Sequence, residues 1–240
     1  MKYSFKKWAF SLAMVLFGMA AIAQTRIISH VTNPGGGFST TVIIENQSVV
    51  SSPYTLQAYD ATGNPLTPLR GDIDGLSVVS SPVPDFFAEG AQVSHFEITA
   101  EDDVRISVAY NFELGNGSPA HVRDSSEQAR GWRVFPGEWS LVFDGLALVN
   151  RGSVPTDIEI VQKDYQGNVL NTQTIATGLA PNAKALFVIG SPDGSSFSLE
   201  TPSYFEVTGT EPLSITALRG TLGREDVGLL WANRALPLSE

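Results

Sequence analysis

Residues 145–170 read GLALVNRGSVPTDIEIVQKDYQGNVL, and residues 41–66 read TVIIENQSVVSSPYTLQAYDATGNPL. The two stretches lie over one another without a gap. Asn46 meets Asn150, Val50 meets Val154, and Asp60, Gly63, Asn64 and Leu66 meet Asp164, Gly167, Asn168 and Leu170. A second pair of blocks, FEITAEDDVRISVAY (96–110) and FEVTGTEPLSITALR (205–219), matches at Phe96/Phe205, Glu97/Glu206, Thr99/Thr208 and Ile106/Ile215. The offset grows from 104 to 109 between the two pairs, so the second copy carries extra residues between its blocks. A period this long exceeds any solenoid or propeller repeat and matches a whole small domain. The chain reads as two tandem copies of one domain.

Each block alternates as a half-buried strand does. Val42 and Ile44, with Leu146 and Leu148, point inward, as do Tyr54 and Leu56 with Ile158 and Ile160. Val104, Ile106 and Val108 correspond to Leu213, Ile215 and Ala217. Turn residues separate the strands. Asn46 and Asn150 stand at strand ends, and Asp-x-x-Gly-Asn recurs at 60–64 and 164–168. There the glycine takes a positive φ and the aspartate bonds its own following backbone. No stretch after the N-terminus carries helical periodicity. The fold class expected is all-β, two tandem immunoglobulin-like β-sandwich domains, with domain 1 over residues 24–125 and domain 2 over 126–240.

The first residues, MKYSFKKWAFSLAMVLFGMAAIAQ, predict a cleaved secretory signal peptide over 1–23. Lys2, Lys6 and Lys7 precede an apolar run, and Ala21-Ile22-Ala23 supplies the small-residue cleavage site. The run is too short to span a bilayer, and no cysteine follows to take a lipid. Removing it leaves 12 basic and 25 acidic residues, a net charge of −13. That balance repels a phosphate backbone, so nucleic acid is not an expected partner. An exported chain without cysteine has no disulfide framework and relies on burial. The mature chain is expected in the periplasm, at the cell surface or secreted, with no membrane span. Its short, proline-broken strands do not suit an outer-membrane barrel.

Ala147-Leu148-Val149-Asn150, Asp164-x-x-Gly167, Leu179-Ala180-Pro181 and Ala217-Leu218-Arg219 carry a resemblance. Through them residues 141–220 resemble immunoglobulin-like modules of uncharacterised secreted bacterial proteins. The resemblance implies an extracellular β-sandwich with no established catalytic activity. The first copy departs from it, lacking Leu-Ala-Pro and carrying Tyr110 where the second has Arg219.

Residues that could carry chemistry are sparse. His30, His95 and His121 fit no metal-binding spacing, and a G-x-S-x-G elbow is absent. The acidic clusters Asp72-x-Asp74 and Glu101-Asp102-Asp103 match no calcium loop and read as solvated turns. Arg70-Gly71-Asp72 reads as a bare turn, and Asn33-Pro34-Gly35-Gly36-Gly37 as a flexible one with no helix behind it. No catalytic residue, metal or cofactor is expected, and the chain is expected not to be an enzyme. Glu97 and Glu206, the matched acids outside turns, fall on the outward phase of a strand and suit cross-strand pairing.

What the copies share specifies a fold, so function belongs to the segments they do not share, 67–95, 113–140 and 171–204. The aromatic residues there are the candidate ligand contacts: Trp132, Trp139, Phe86 and Phe87. Residues 113–131 are expected to form an exposed joint between the domains. These features favour an exported non-enzymatic binding, adhesion or scaffolding protein whose partner is a protein or polysaccharide at the cell exterior. The alternatives are a carbohydrate-binding protein or jelly-roll glycan hydrolase, and a periplasmic pilus-type chaperone. The last needs an Arg-Lys pair in its cleft, and the mature chain has only Lys163 and Lys184.

Overall fold

The computed structural model describes residues 24–32, 37–113, 116–139, 141–189, 197–198, 200–221 and 227–239. The expected leader, and residues 33–36 of the glycine-rich stretch, lie outside the described residues. The chain is nearly all β. Among the described residues helix is confined to α1 (Val83–Phe86) and a 3-10 turn at Gly90–Gln92, and none is long and apolar enough to cross a membrane.

The first half holds β1 (Gln24–Ile28), β2 (Phe38–Asn46), β3 (Ser52–Tyr59), β4 (Leu69–Ile73), β5 (Val78–Pro82), β6 (His95–Ala100), β7 (Val104–Phe112), β8 (Asn116–Ser118) and β9 (Ala120–Arg123). The second half holds β10 (Ala129–Val134), β11 (Val142–Asn150), β12 (Thr156–Asp164), β13 (Val169–Leu179), β14 (Lys184–Ile189), β15 (Ser203–Thr221), β16 (Val227–Asn233) and β17 (Leu236–Pro237).

In the first half β1-β6-β3-β4 form one sheet and β5-β2-β7-β9 the other. Alternation decides which side chains meet between them. β2 buries Val42 and Ile44, β3 buries Leu56, β6 buries Phe96 and Ile98, and β7 buries Val104, Ile106 and Val108, all in one core. Tyr54 is only partly buried against it.

The second half uses the long strand β15 twice. Ser203–Gly209 pairs with β12, and Leu213–Thr221 pairs with β11, so the chain changes sheets at Thr210-Glu211-Pro212. Residues 205–208 also pair with β10, while β11 pairs with β14 on its other edge. Between these layers Leu146, Leu148, Ile158, Ile160, Phe205 and Leu213 form a second core, with Ile215 partly buried against it. Glu101-Asp102-Asp103 makes the corresponding change of sheet in the first half, where Val104 N bonds the Glu101 carbonyl at 3.0 Å. The acids there turn a corner in solvent.

Registers recur between the halves. Ile44 faces Ile106 as Leu148 faces Ile215, and Leu56 faces Ile98 as Ile160 faces Val207. The turn chemistry recurs with them. Asn46 Nδ2 bonds the carbonyls of Val50 and Ile73, and Asn150 Nδ2 those of Val154 and Leu179. Asp60 Oδ1 accepts from the Thr62 and Asn64 amides, as Asp164 Oδ1 does from Gln166 and Asn168. Gly63 and Gly167 close these turns at φ of 91° and 89°.

Two segments differ from the sequence reading. Arg70-Gly71-Asp72 is not a turn but part of β4, an edge strand paired to β3, because Leu69 and Ile73 face the core in strand alternation. Among the described residues of 119–131 many side chains are exposed, yet β9 pairs with β7, and Ser125 and Ile27 exchange backbone hydrogen bonds of 2.9 and 3.0 Å. The connection is strand-bound.

Candidate functional site

The halves meet through Leu218, Leu230 and Phe143, which join the first core, and through polar groups beside them. Lys184 opens β14, and its Nζ donates to the carbonyls of Ser94 at 2.8 Å and Val31 at 3.2 Å, with His30 Nδ1 at 3.4 Å. Among the described residues Lys184 is in no ion pair. Burial therefore lowers its pKa to about 8. Beside it Arg151 pairs with Glu97, which also accepts from the Tyr59 hydroxyl at 3.2 Å. Ser29 and Ser214 bond across the joint at 3.0 Å.

Two histidines complete this node. His95 is fully buried, stacked on Tyr59 with ring centres 5.2 Å apart, and neither ring nitrogen has a hydrogen-bond partner. Burial first, and the nearby Lys184 charge second, push both His30 and His95 down to about 3. Both imidazoles are neutral at physiological pH. A neutral, unpartnered imidazole can serve as base or ligand only if something reaches it, and His95 is enclosed. The node holds the halves together.

Next to the node lies a cavity of about 180 Å³, with His30 and Phe38 on the first-half side. Its other side includes Gly145, Ala147, Leu186 and Val188. The lining is almost wholly apolar, and Leu186 and Val188 are substantially exposed. Space exists because β11 carries small residues where it faces the joint. A Cβ added at Gly145 would find nothing closer than Phe143 at 3.7 Å. Among the described residues β14, which supplies Leu186 and Val188, pairs with β11 alone and forms the edge of its sheet. The arrangement can accept an apolar side chain beside an edge strand that offers backbone hydrogen bonds.

The four candidate aromatics do not come together. Trp132 is 2 % exposed in the second core, its indole N–H shared between the carbonyls of Ala129 (3.1 Å) and Leu213 (3.2 Å). Trp139 packs against the same core, 5.9 Å from the Phe205 ring, with a buried, unpartnered indole nitrogen. Phe87 is buried in the first core, and Phe86 lies partly buried against it in edge contact with Phe87. Exposed aromatics occur elsewhere. Phe135 and Tyr165 flank Tyr204 on the outer face of β10, β15 and β12, with centre distances of 6.2 and 6.5 Å.

Sequence reasoning passed over Lys184 and the cavity. Their signals are slight: one of two lysines beyond residue 23, placed where a strand begins, and Gly145 and Ala147 on an outward phase expected to face solvent. No known family model matches this chain, and no curated protein or solved structure matches it.

Proposed function

We propose that the chain is an exported, non-enzymatic binding and scaffolding protein made of two tandem immunoglobulin-like sandwiches. In this reading the cavity at their joint receives an apolar, extended segment of a partner protein. The observation that carries it is the apolar cavity beside the edge strand β14. The recurring registers and turn bonds support two copies of one module. Two facing antiparallel sheets of about a hundred residues support the immunoglobulin likeness. In the first half the first strand pairs with the sixth and the seventh with the second, so the terminal strands have traded sheets relative to a constant domain, and in the second half the long strand β15 takes both partners, β10 and β11. The titratable groups at the joint are engaged in holding it, which favours binding over turnover.

The test uses anilinonaphthalene sulfonate as a probe of the cavity and a panel of strand-forming peptides with alternating valines as competitors. The native protein should bind the probe, a peptide should displace it, and Gly145→Leu, which fills the cavity, should abolish both. Probe binding that survives Gly145→Leu, or that no peptide displaces, removes the cavity from the function.

A further inference from the structure

We infer that the chain assembles with copies of itself head to tail, the outer face of its second half seating on the exposed ledge of the next chain's first half. The joint inside the chain supplies the pattern. There the turn around Gly63 lies against Pro181-Asn182-Ala183, and the Lys184 amide donates to the Ala61 carbonyl at 3.0 Å. One partner is thus a face of the first half, bearing Ser29, Ala61 and His95. The other is a ledge of the second half, bearing Asn182 and Lys184.

The ladder registers give each surface a counterpart, and both counterparts are uncovered. Ile28 faces Phe96 as Val134 faces Phe205, so Phe135 and Tyr204 stand where Ser29 and His95 stand. Tyr165 takes the place of Ala61, one residue beyond the matched aspartate. A Cβ at Gly63 would lie 2.7 Å from Ala183 N, whereas one at Gly167 would meet nothing within 4 Å. On the ledge side, Asn46 N bonds the Ser77 carbonyl as Asn150 N bonds that of Ala183. Leu76 and Val78 therefore occupy the places of Asn182 and Lys184. Leu76 and Asn182 even share a left-handed φ, 55° and 57°.

Chemistry has changed on both surfaces in the same sense. The face exchanges Ser29, Ala61 and His95 for Phe135, Tyr165 and Tyr204, and the ledge exchanges Asn182 and Lys184 for Leu76 and Val78. The polar positions of the joint, which lie beside the apolar contacts of Leu218, Leu230 and Phe143 with the first core, become an aromatic surface and an aliphatic one outside it. Val49 and Val50 extend the aliphatic ledge and are also exposed. Arg133 lies 4.7 Å over the Tyr204 ring, and Glu206 is held by Arg133 and Lys163 of its own sheet. Glu97, by contrast, takes its cation from across the joint. The second-half face thus needs no outside charge, and offers rings and a guanidinium, the groups that anchor interfaces. Contiguous exposed apolar groups of this kind mark interaction sites. A face that meets a different surface on the next chain leaves one of each free, so chains add until a ring closes or a filament grows.

This rests on reading the halves as two copies of one sandwich, but not on the joint cavity, so Gly145→Leu should leave assembly unchanged. The experiment is sedimentation velocity of the secreted protein over a concentration series, with Leu76→Asp and Tyr165→Ser. Leu76 is 70 % and Tyr165 63 % exposed, so both variants should fold. Wild type should form concentration-dependent species beyond the dimer, and each variant should weaken association about tenfold or more. Mixed in equal amounts, the two variants retain one intact face and one intact ledge and should stop at a heterodimer. A wild type that stays monomeric, a closed dimer, or variants without effect overturns the inference. So does a monomer retained on a polysaccharide matrix through Tyr165, which would make the aromatic row a sugar platform.

Discussion

Tyr110 donates a 2.8 Å hydrogen bond from its hydroxyl to the backbone carbonyl of His30. Arg219, at the matched position of the second half, donates from Nη2 to the carbonyl of Phe135 at the same 2.8 Å. A residue on the neighbouring strand completes each device. Thr40 Oγ1 accepts from the Thr32 amide at 3.0 Å, and Asp144 Oδ2 accepts from the Gly137 amide at 2.7 Å. The halves therefore strap the chain after their first strand in one way, with a neutral pair in one and a charged pair in the other.

The charged version should be the more fragile to truncation. Asp144 is fully buried and its Oδ1 takes Arg219 Nε at 2.7 Å. Asp144→Ala leaves that guanidinium and the Gly137 amide without their acceptor, and should cost on the order of 3 kcal/mol. Tyr110→Phe, which removes only a hydroxyl from a buried ring, should cost about 1 kcal/mol. Urea unfolding of the two variants measures the contrast, and equal losses would show that the pair carries no special weight.

Acid should loosen the joint before it reaches the carboxylates. His30 and His95 sit at about 3 in the folded chain against an ordinary 6.5, so between those values the unfolded chain binds the extra protons. Stability is then full above pH 6.5 and falls as pH drops toward 3. Going from pH 7 to pH 5 should remove on the order of 2 kcal/mol for each histidine. Burial, and then the Lys184 charge, hold both imidazoles neutral, and at His95 Arg151 adds to this while Asp60 opposes it. His95→Phe keeps the stack on Tyr59 and removes two unpartnered nitrogens, so it should match or exceed wild type at pH 7 and lose about half as much at pH 5. An unchanged acid slope would place the titration elsewhere.

The alkaline limb should report Lys184. Its pKa near 8 lies below the ordinary 10.4, so from pH 8 upward the unfolded chain holds a proton that the folded chain has released. Stability should rise with pH across that window, by about 2 kcal/mol between pH 8 and 9.5 at most. Above it the buried tyrosines act oppositely. Tyr59, raised to about 12 by burial and by Glu97, favours the folded state less as pH passes 10. The informative quantity is the difference between wild type and Lys184→Met from pH 7.5 to 9.5. Parallel curves would show that the amine keeps its proton in the folded joint throughout that window.

How much of this was legible depends on whether a residue acts on its own strand or across the joint. Strand phases, the Asn46 and Asn150 caps and the Asp60 and Asp164 turns follow from local alternation and turn chemistry, and the matched blocks exposed them twice. Tyr110 and Arg219 looked like a departure between the copies because their common task is set by a carbonyl some 80 residues away. The joint was hidden for the same reason. Gly145 and Ala147 read as solvent-facing because a strand's outer phase does not say what covers it. Lys184 carries no local sign of its role, because its acceptors, Val31 and Ser94, come to it from the other half.

Trp132 tests the division between core and surface. Its indole is enclosed and bonded at the nitrogen, so Trp132→Ala should cost about 3–5 kcal/mol. Phe135→Ala, three residues on and exposed, should change monomer stability by less than about 0.5 kcal/mol. Thermal melts at a concentration that keeps the chain monomeric compare them directly. A mild loss at Trp132 would mean the ring is not a core element.

Gly63 and Gly167 give the sharpest comparison, because sequence and backbone make them equals. Both close an Asp-x-x-Gly-Asn turn and both hold φ near 90°, so alanine at either pays the left-handed penalty of about 1–2 kcal/mol. Their surroundings differ. At Gly167 the added methyl points into open space, and the cost should stop there. At Gly63 it would meet the Pro181 carbonyl oxygen and the Ala183 amide nitrogen, backbone atoms that cannot swing aside. Relieving that overlap moves the turn away from β14 and lengthens the Lys184 amide bond to Ala61. Gly63→Ala should therefore cost at least about 1 kcal/mol more than Gly167→Ala. It should also speed hydrogen exchange at the Lys184 amide, which Gly167→Ala leaves alone. Equal costs, with the Lys184 amide still protected in both, would show that the Gly63 turn does not press on the second half, and the joint would lose one of its contacts.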